Sequence, residues 1–176
     1  NLEYIQSDFK GEDNKVKITQ PRIYFGLQTN EPIVTNAKNK QEYDYPLTST
    51  TSNTNTYEGK AGLKLGFLDR IILGVKEKNL GIAFSGNVTK ESKIITTRNI
   101  ITRAKTIMPY LKYDEEPYMV VTDEGKLVWV LDAYTTSNDY PYSQETIIEY
   151  EGLKEKINYI RNSVKVIIDA YDGTTD

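Results

Sequence analysis

Two stretches of the chain carry apolar residues at the spacing of an amphipathic α-helix, every three or four positions. The first covers residues 62–78. The second covers residues 97–108, where Thr96 or Thr97 is placed to cap the start and Pro109 marks the end. We therefore expect two helices, each with one apolar face. The apolar members of the first stripe are Leu63, Phe67, Leu68, Ile71, Ile72 and Val75.

The clearest β pattern lies in the second half of the chain. Residues 118–122 and 126–134 are rich in β-branched and aromatic side chains and flank Asp-Glu-Gly, which predicts a hairpin turn with Gly125 in the left-handed conformation. The second strand is apolar on both faces, so we expect it to be central and Trp129 to be buried. Alternating residues predict a further strand over 160–170.

The first part of the chain gives weaker signals. Two short β-rich runs cover 23–27 and 32–35, and Pro32 puts the second at a sheet edge or at a strand's first position. Residues 47–56 contain almost nothing apolar and predict a long exposed loop. Residues 1–20 are polar and predict a loosely packed amino-terminal segment.

Together these elements predict an α+β fold: a mainly antiparallel sheet with two or so amphipathic helices packed on one face. The 176 residues are enough for one domain with a real core, which we expect over residues 21–176. The chain begins with Asn and stops shortly after Asp-Ala-Tyr-Asp-Gly-Thr, so we expect it to be a piece of a longer protein.

Composition narrows the range of functions. The net charge of −3 without a basic cluster argues against nucleic acid as a partner. Histidine and cysteine are both absent, which excludes a histidine-based catalytic triad, a cysteine nucleophile, a thiolate zinc site and a disulfide within this chain. No motif calls for a cofactor, and we expect none.

Tyrosine is abundant, with 14 residues. A tyrosine ring stacks on a ligand while its hydroxyl forms hydrogen bonds, so tyrosine-rich surfaces suit polar ligands such as sugars and peptides. Our binding candidates are Tyr134, Tyr140, Tyr142 and Tyr171. The alternative is that the tyrosines are half-buried at the edges of a sheet.

Asp132 and Asp169 form the sharpest candidate pair, because each follows an apolar strand and precedes Ala-Tyr. If the strands were neighbours, the two carboxylates could carry out glycoside hydrolysis. The interpretation that we favour is structural: each aspartate starts a turn. For Asp132 we expect the strand to end there, with the carboxylate held by donors from residues 135–137, which would lower its pKa.

An acidic run at residues 114–116 raises the question of a metal site. Adjacent acids converge on one ion only where a loop alternates the ligands, and the spacing of a calcium-binding loop is absent. We therefore expect a solvated turn here and no metal.

Several motifs then resemble a known family. They include YEGKAGLKLG, TRNIITRAKTIMPYLKYDEEPYMVV, GKLVWVLDAYTTSNDYPYS and INYIRNSVKVIIDAYDGT, and they occur in order from about Thr19 to Thr174. This pattern is similar to an uncharacterised family, number 0182, of large bacterial integral membrane proteins. The resemblance implies several transmembrane helices outside this chain and a large domain on the outer face of the plasma membrane. It implies no catalytic residues, since the family has no assigned activity.

These observations favour a non-catalytic extracytoplasmic domain that binds or scaffolds at the bacterial cell surface. Its partner would be a cell-surface polymer, a peptide or a protein, and its attachment to the membrane would come from helices absent from this chain. The alternative is a cell-wall glycan hydrolase that uses Asp132 and Asp169.

Overall fold

The computed structural model describes residues 18–38, 42–46, 52–64, 66–76, 88–89 and 91–176. In this part of the chain, antiparallel strands dominate and helices are few. The predicted α+β class with a mainly antiparallel sheet is therefore confirmed. The predicted amino-terminal segment falls outside the described residues except for positions 18–20, which lie against the turn before Lys126.

Eleven strands and two helices follow one another in the described residues. In chain order they are β1 (Ile33–Thr35), β2 (Glu42–Pro46), β3 (Ser52–Asn55), β4 (Leu63–Lys64), α1 (Phe67–Lys76), β5 (Lys93–Ile95), α2 (Ile100–Ile107), β6 (Lys112–Tyr113), β7 (Tyr118–Val121), β8 (Leu127–Ser137), β9 (Thr146–Tyr150), β10 (Leu153–Ile157) and β11 (Tyr159–Asp169).

The main sheet is built around β8. It pairs with β11 on one side, and with β6 and β7 on the other, always antiparallel. The predicted hairpin is confirmed: β7 and β8 flank a turn in which Gly125 has φ of 78°. The strand predicted over 160–170 is confirmed as β11.

The core lies on one face of this sheet. Trp129 is 7% exposed, as predicted, and Leu131 beside it on the same face is fully buried. Ile100 and Ala104 of helix α2, one turn apart, belong to the same core cluster as Trp129 and Leu131. That the helices pack on one face of the sheet stays a prediction.

Helix α2 begins later than predicted. The side chain of Asn99, and not that of Thr96 or Thr97, caps it by accepting a hydrogen bond from the Thr102 backbone N–H at 3.0 Å. The helix ends at Ile107, one residue before the predicted end at position 108, and Pro109 follows shortly after.

Helix α1 is shorter than the predicted 62–78. Gly62 has φ of 95°, and a Cβ there would lie only 2.9 Å from the Lys93 Cβ, so the backbone turns and passes close to β5. The next residues, Leu63 and Lys64, form the short strand β4, which pairs with β5, and not the first turn of the helix. Ile72 and Val75, two members of the predicted apolar stripe, are 68% and 64% exposed.

The two β-rich runs near the amino terminus have different outcomes. The second is β1, which starts directly after Pro32. Among the described residues it pairs with β5 alone, so it is an edge strand there, as predicted. The first, 23–27, is not a strand. Tyr24 and Phe25 donate their backbone N–H groups to the Ala170 carbonyl, and both side chains are in the core.

Two hairpins were not predicted. Ser52–Asn55, inside the expected loop 47–56, pairs with β2, so the loop prediction is wrong there, whereas 47–51 lies outside the described residues. The other hairpin joins β9 to β10 through Glu151 and Gly152, which both have positive φ. Such a turn usually carries Asn-Gly or Asp-Gly, and glutamate at its first position hid the signal.

Candidate functional site

Asp132 lies within β8 and does not end it, because the strand continues to Ser137. Its carboxylate accepts hydrogen bonds from the Lys165 ammonium and, at 2.9 Å, from the Asn162 side-chain amide. These partners sit on the neighbouring strand, not at residues 135–137 as predicted. The Lys165 bond first, then the Asn162 bond, hold the pKa of Asp132 below its usual range, so the predicted direction is right although the donors differ.

Asp169 ends β11 and starts a turn, as the structural interpretation predicted. One of its carboxylate oxygens accepts the backbone N–H groups of Tyr171 and Asp172, each at 2.8 Å. This is an Asx turn, in which the side chain mimics a backbone acceptor. The Asp169 carboxylate therefore stabilises the turn that reverses the chain after β11.

The two aspartates are not brought together. In the β8–β11 register Asp132 is opposite Lys165, whereas Asp169 is opposite Val128, four residues further along the sheet. At about 3.3 Å per residue the two positions are roughly 13 Å apart. That exceeds the separations of about 5 to 9.5 Å that glycoside hydrolysis by a carboxylate pair requires.

Tyr171 is in an internal aromatic cluster. Its ring centroid lies 5.3 Å from that of Tyr24 and 5.1 Å from that of Tyr57, and its hydroxyl accepts the Glu58 backbone N–H at 3.0 Å. Burial raises its pKa. Tyr134 lies within β8, half-buried and flanked by a residue on each neighbouring strand. Neither tyrosine lies on a free surface, although Tyr134 is inside the sheet and not at its edge, where the alternative placed the tyrosines.

The exposed candidates are in residues 138–145, between β8 and β9, which we call the tyrosine loop. Tyr140 is 53% exposed, and its ring stacks on that of Tyr159 with centroids 4.8 Å apart and planes 16° from parallel. Asn158 fixes the backbone of Tyr140 from both sides: it accepts the Tyr140 N–H at 3.0 Å and donates to the Tyr140 carbonyl at 2.9 Å. The Asn158 side chain therefore anchors the tyrosine loop to the residues just before β11.

Tyr142 projects from this anchored loop. Its side chain is as exposed as in an extended peptide, at 109%, and its backbone has φ of 61°. A left-handed conformation is uncommon for a bulky residue, and such strain is often found at binding sites. The next residue, Ser143, donates its hydroxyl to the Asn158 carbonyl at 2.6 Å, which holds this turn in place.

The sequence did not point to Asn158 or Tyr159. Their roles depend on β11 lying beside β8, which places them under a loop 15 to 19 positions earlier in the chain. An asparagine at the start of a predicted strand was the one local signal, because its side chain readily bonds neighbouring backbone groups.

The tyrosine loop also carries two acidic side chains. Asp139 and Glu145 are both exposed, and the Glu145 carboxylate is 3.7 Å from the Lys156 ammonium.

In the described part of the chain, no three acidic side chains lie close enough together to hold a metal ion. None of the helices seen in those residues has the length and apolar content for crossing a membrane.

Comparison with known proteins identifies the family. The chain is 47% identical over 161 residues to a UPF0182 protein of Clostridium botulinum (strain Loch Maree / Type A3), covering 92% of this chain and 17% of the relative. It is 48% identical over 174 residues to a UPF0182 protein of Clostridium tetani, covering 96% and 18%. The chain thus spans less than a fifth of these curated relatives. No solved structure matches it. The profile of the Uncharacterised protein family (UPF0182) matches residues 1–176, and the chain belongs to that family.

Proposed function

We propose that this chain is a non-catalytic extracytoplasmic domain of a multi-spanning bacterial membrane protein, and that its tyrosine loop binds a polymer of the cell surface. The observation that carries the proposal is the pair of exposed tyrosines on one anchored loop: Asn158 holds the backbone of Tyr140, and Tyr142 is fully exposed with a left-handed backbone. An exposed tyrosine ring offers a ligand an apolar face together with a hydroxyl that can form hydrogen bonds, so two of them on one anchored loop suit a ligand that covers the rings.

The chemistry of the loop favours a neutral glycan. Tyr140 is backed by Tyr159, which leaves one flat aromatic face with amide and hydroxyl groups around it. The apolar faces of sugar rings stack on such a surface, while the sugar hydroxyls form hydrogen bonds with the surrounding polar groups. Asp139 and Glu145 disfavour a polyanionic polymer, since like charges repel at short range.

The extracytoplasmic location is part of the proposal. Its support is the resemblance of this chain to a family of large bacterial integral membrane proteins, which implies a large outer domain, together with the lack of cysteine, which suits an oxidising compartment. Scaffolding of the parent assembly is the second role that this location allows.

No observation favours a glycan hydrolase, because the carboxylates of Asp132 and Asp169 are far apart and both are bonded within the fold.

A binding experiment tests the proposal. Full-length protein in detergent is incubated with insoluble peptidoglycan stripped of anionic polymers, and the bound fraction is measured against polymer concentration. We expect Tyr142→Ala and Tyr140→Ala each to weaken binding about tenfold, the effect of losing roughly 1.4 kcal/mol at a central aromatic contact. Tyr110→Ala is the matched control, since Tyr110 is 75% exposed but lies beyond α2. Equal binding by all three variants and the wild type would refute the glycan site.

A further inference from the structure

The main sheet has a second face, opposite the core, which we call the outer face of the sheet. Trp129 belongs to the core, and side chains alternate along a strand, so Val128 and Val130 of β8 point to the outer face. The residues of β7 and β11 that are paired with these two valines lie on the same face. The apolar ones are Tyr118, Val120 and Ile167. An apolar patch therefore crosses three strands of the outer face.

This patch is open to solvent at its sides. Tyr118, Val120 and Ile167 are 46%, 39% and 41% exposed, whereas Trp129 and Leu131 on the core face are 7% and 0% exposed. The three exposed side chains lie on adjoining strands and not singly, so they form one surface. A contiguous apolar patch with a polar rim is typical of an interaction site.

A cleft of about 450 Å³ adjoins the patch at the end of the sheet where the β7–β8 turn lies. Val128 and Ile167 supply its apolar lining. Its walls come from residues 122–126 and from the hairpin after β11, in which Asp176 and Ile167 exchange backbone hydrogen bonds of 2.9 and 3.0 Å. At roughly 30 Å³ for a water molecule, the cleft has room for more than one side chain of a partner.

The cleft is acidic. Its charged lining residues are Asp123, Glu124, Lys126, Asp169 and Asp176. The Lys126 ammonium is bound to the Glu124 carboxylate at 2.8 Å, so the other three carboxylates have no second ammonium in this lining. Asp169 accepts both backbone N–H groups of its turn at one oxygen, which leaves the other oxygen for a further donor. A cleft lined by one sign of charge concentrates ions of the opposite sign, which here are cations.

We propose that the apolar patch of Tyr118, Val120 and Ile167, together with the acidic cleft, is a docking surface for a basic segment of another protein, in which aliphatic side chains lie next to lysine or arginine. The aliphatic side chains cover the patch and leave water, and the cationic groups enter the cleft. An acidic segment is repelled, so the charge of the cleft selects the partner. The proposal is independent of the tyrosine loop, which follows the opposite end of β8.

Binding of a model peptide to the full-length protein in detergent tests this docking surface. The probe is a fluorescent peptide of alternating leucine and lysine, and the comparison peptide has glutamate in place of lysine. Fluorescence anisotropy is measured against protein concentration, with protein-free micelles as the blank. We expect the lysine peptide to bind, the glutamate peptide not to bind, and added salt to weaken the binding.

Asp123→Lys should weaken binding of the lysine peptide roughly tenfold, because it reverses an exposed charge at the cleft. The matched control is Asp139→Lys, the same reversal at an exposed aspartate of the tyrosine loop, which should bind as the wild type does. Val120→Thr and Ile167→Thr remove apolar surface from the patch and should each weaken binding about threefold. Both keep a β-branched side chain, and urea unfolding of each variant checks that it is folded.

Equal binding of the two peptides would refute the proposal, and so would an equal effect of Asp123→Lys and Asp139→Lys. Wild-type affinity in both threonine variants would show attraction by charge alone and would also refute docking at the patch. A wild-type mass of two protein copies that falls to one copy in Asp123→Lys and Ile167→Thr would assign the face to a second copy and overturn the proposal.

Discussion

Lys165 and Asp132 face each other directly across β11 and β8, and their side chains form an ion pair on the outer face of the main sheet. The two Asp-Ala-Tyr segments of the chain thus differ in what their aspartate bonds. In the first, the aspartate is bonded to the next strand and the strand continues, whereas in the second Asp169 bonds the backbone that follows it and the strand ends. The same three residues, Asp-Ala-Tyr, thus serve two structural purposes.

This ion pair predicts a pH-dependent contribution to stability. Because the pKa of Asp132 is depressed in the folded state, its contribution is present above the usual carboxyl pKa of about 3.9 and is lost as the pH falls through the lower folded value. Asp132→Asn should therefore be less stable than wild type near neutral pH, and the difference should shrink in acid. Urea unfolding at a series of pH values measures it.

The expected loss at neutral pH is modest, because Lys165 is largely exposed and asparagine still accepts a hydrogen bond. Asp123→Asn removes the same charge from the exposed hairpin turn and serves as the control. A difference between Asp132→Asn and wild type that grows in acid would contradict the assigned partner.

Trp129 is expected to be the most costly single truncation in the main sheet. Its indole N–H donates to the Phe25 carbonyl at 2.9 Å, and its ring fills the core. Trp129→Ala should lower the free energy of unfolding by about 3–5 kcal/mol. Trp129→Phe keeps most of the volume but leaves the Phe25 carbonyl unpaired, which should cost about 1–3 kcal/mol. Urea unfolding followed by circular dichroism compares them, and an unchanged midpoint for Trp129→Ala would show that the ring is not core.

Arg98, two residues before α2, connects the start of that helix to residues 24–31. It is 3% exposed, and its guanidinium donates to the carbonyls of Tyr24 at 2.8 Å and Glu31 at 3.0 Å. Arg98→Ala should lower the free energy of unfolding by at least ~2 kcal/mol, since a hydrogen bond to a charged group contributes about 1.5–3 kcal/mol. Arg98→Lys should restore only part of this, because an ammonium lacks the planar fork that reaches both carbonyls. Full recovery with lysine would refute this geometric role.

The buried Tyr24 predicts a loss of stability in alkali. Its hydroxyl donates to the Glu42 carboxylate, and burial first, then that hydrogen bond, raise the pKa of Tyr24 above its usual value. A raised pKa gives a contribution that is present below about pH 10 and lost as the pH rises above it, because only the unfolded chain then ionises readily. The urea midpoint of wild type should therefore fall more steeply above pH ~10 than that of Tyr24→Phe. Parallel curves would contradict the burial of this hydroxyl.

The elements predicted correctly are those with strong periodicity and a punctuating residue. The β7–β8 hairpin has alternating apolar residues around Gly125, and α2 has an apolar stripe that stops before Pro109. The missed strands are polar: β3 is Ser-Asn-Thr-Asn, and its pairing with β2 is set by tertiary context and not by propensity. Helix α1 starts later in the chain than predicted, because the backbone turns at Gly62 and the next residues pair with β5 as β4.

The candidate site was predictable in composition but not in geometry. Tyr140 and Tyr142 are two of the four tyrosines that the sequence predicts as binding residues, yet the sequence cannot show that Asn158 anchors their loop, since that depends on how β8 and β11 pair. The same register separates Asp132 from Asp169. Strand pairing across about 30 residues is decided by the whole core, and local patterns do not specify it.

The most direct test of the central claim is the reactivity of single cysteines in the full-length protein on cells. Gln144→Cys lies in the tyrosine loop and is exposed, and Tyr110→Cys is the exposed reference outside the loop. We predict that a thiol reagent that cannot cross membranes labels both in intact cells, and that enzymatic removal of the wall speeds labelling at Gln144→Cys several-fold but not at Tyr110→Cys. Labelling of either cysteine only after the membrane is broken, or an equal response of both to wall removal, would contradict an outer domain whose tyrosine loop binds the wall.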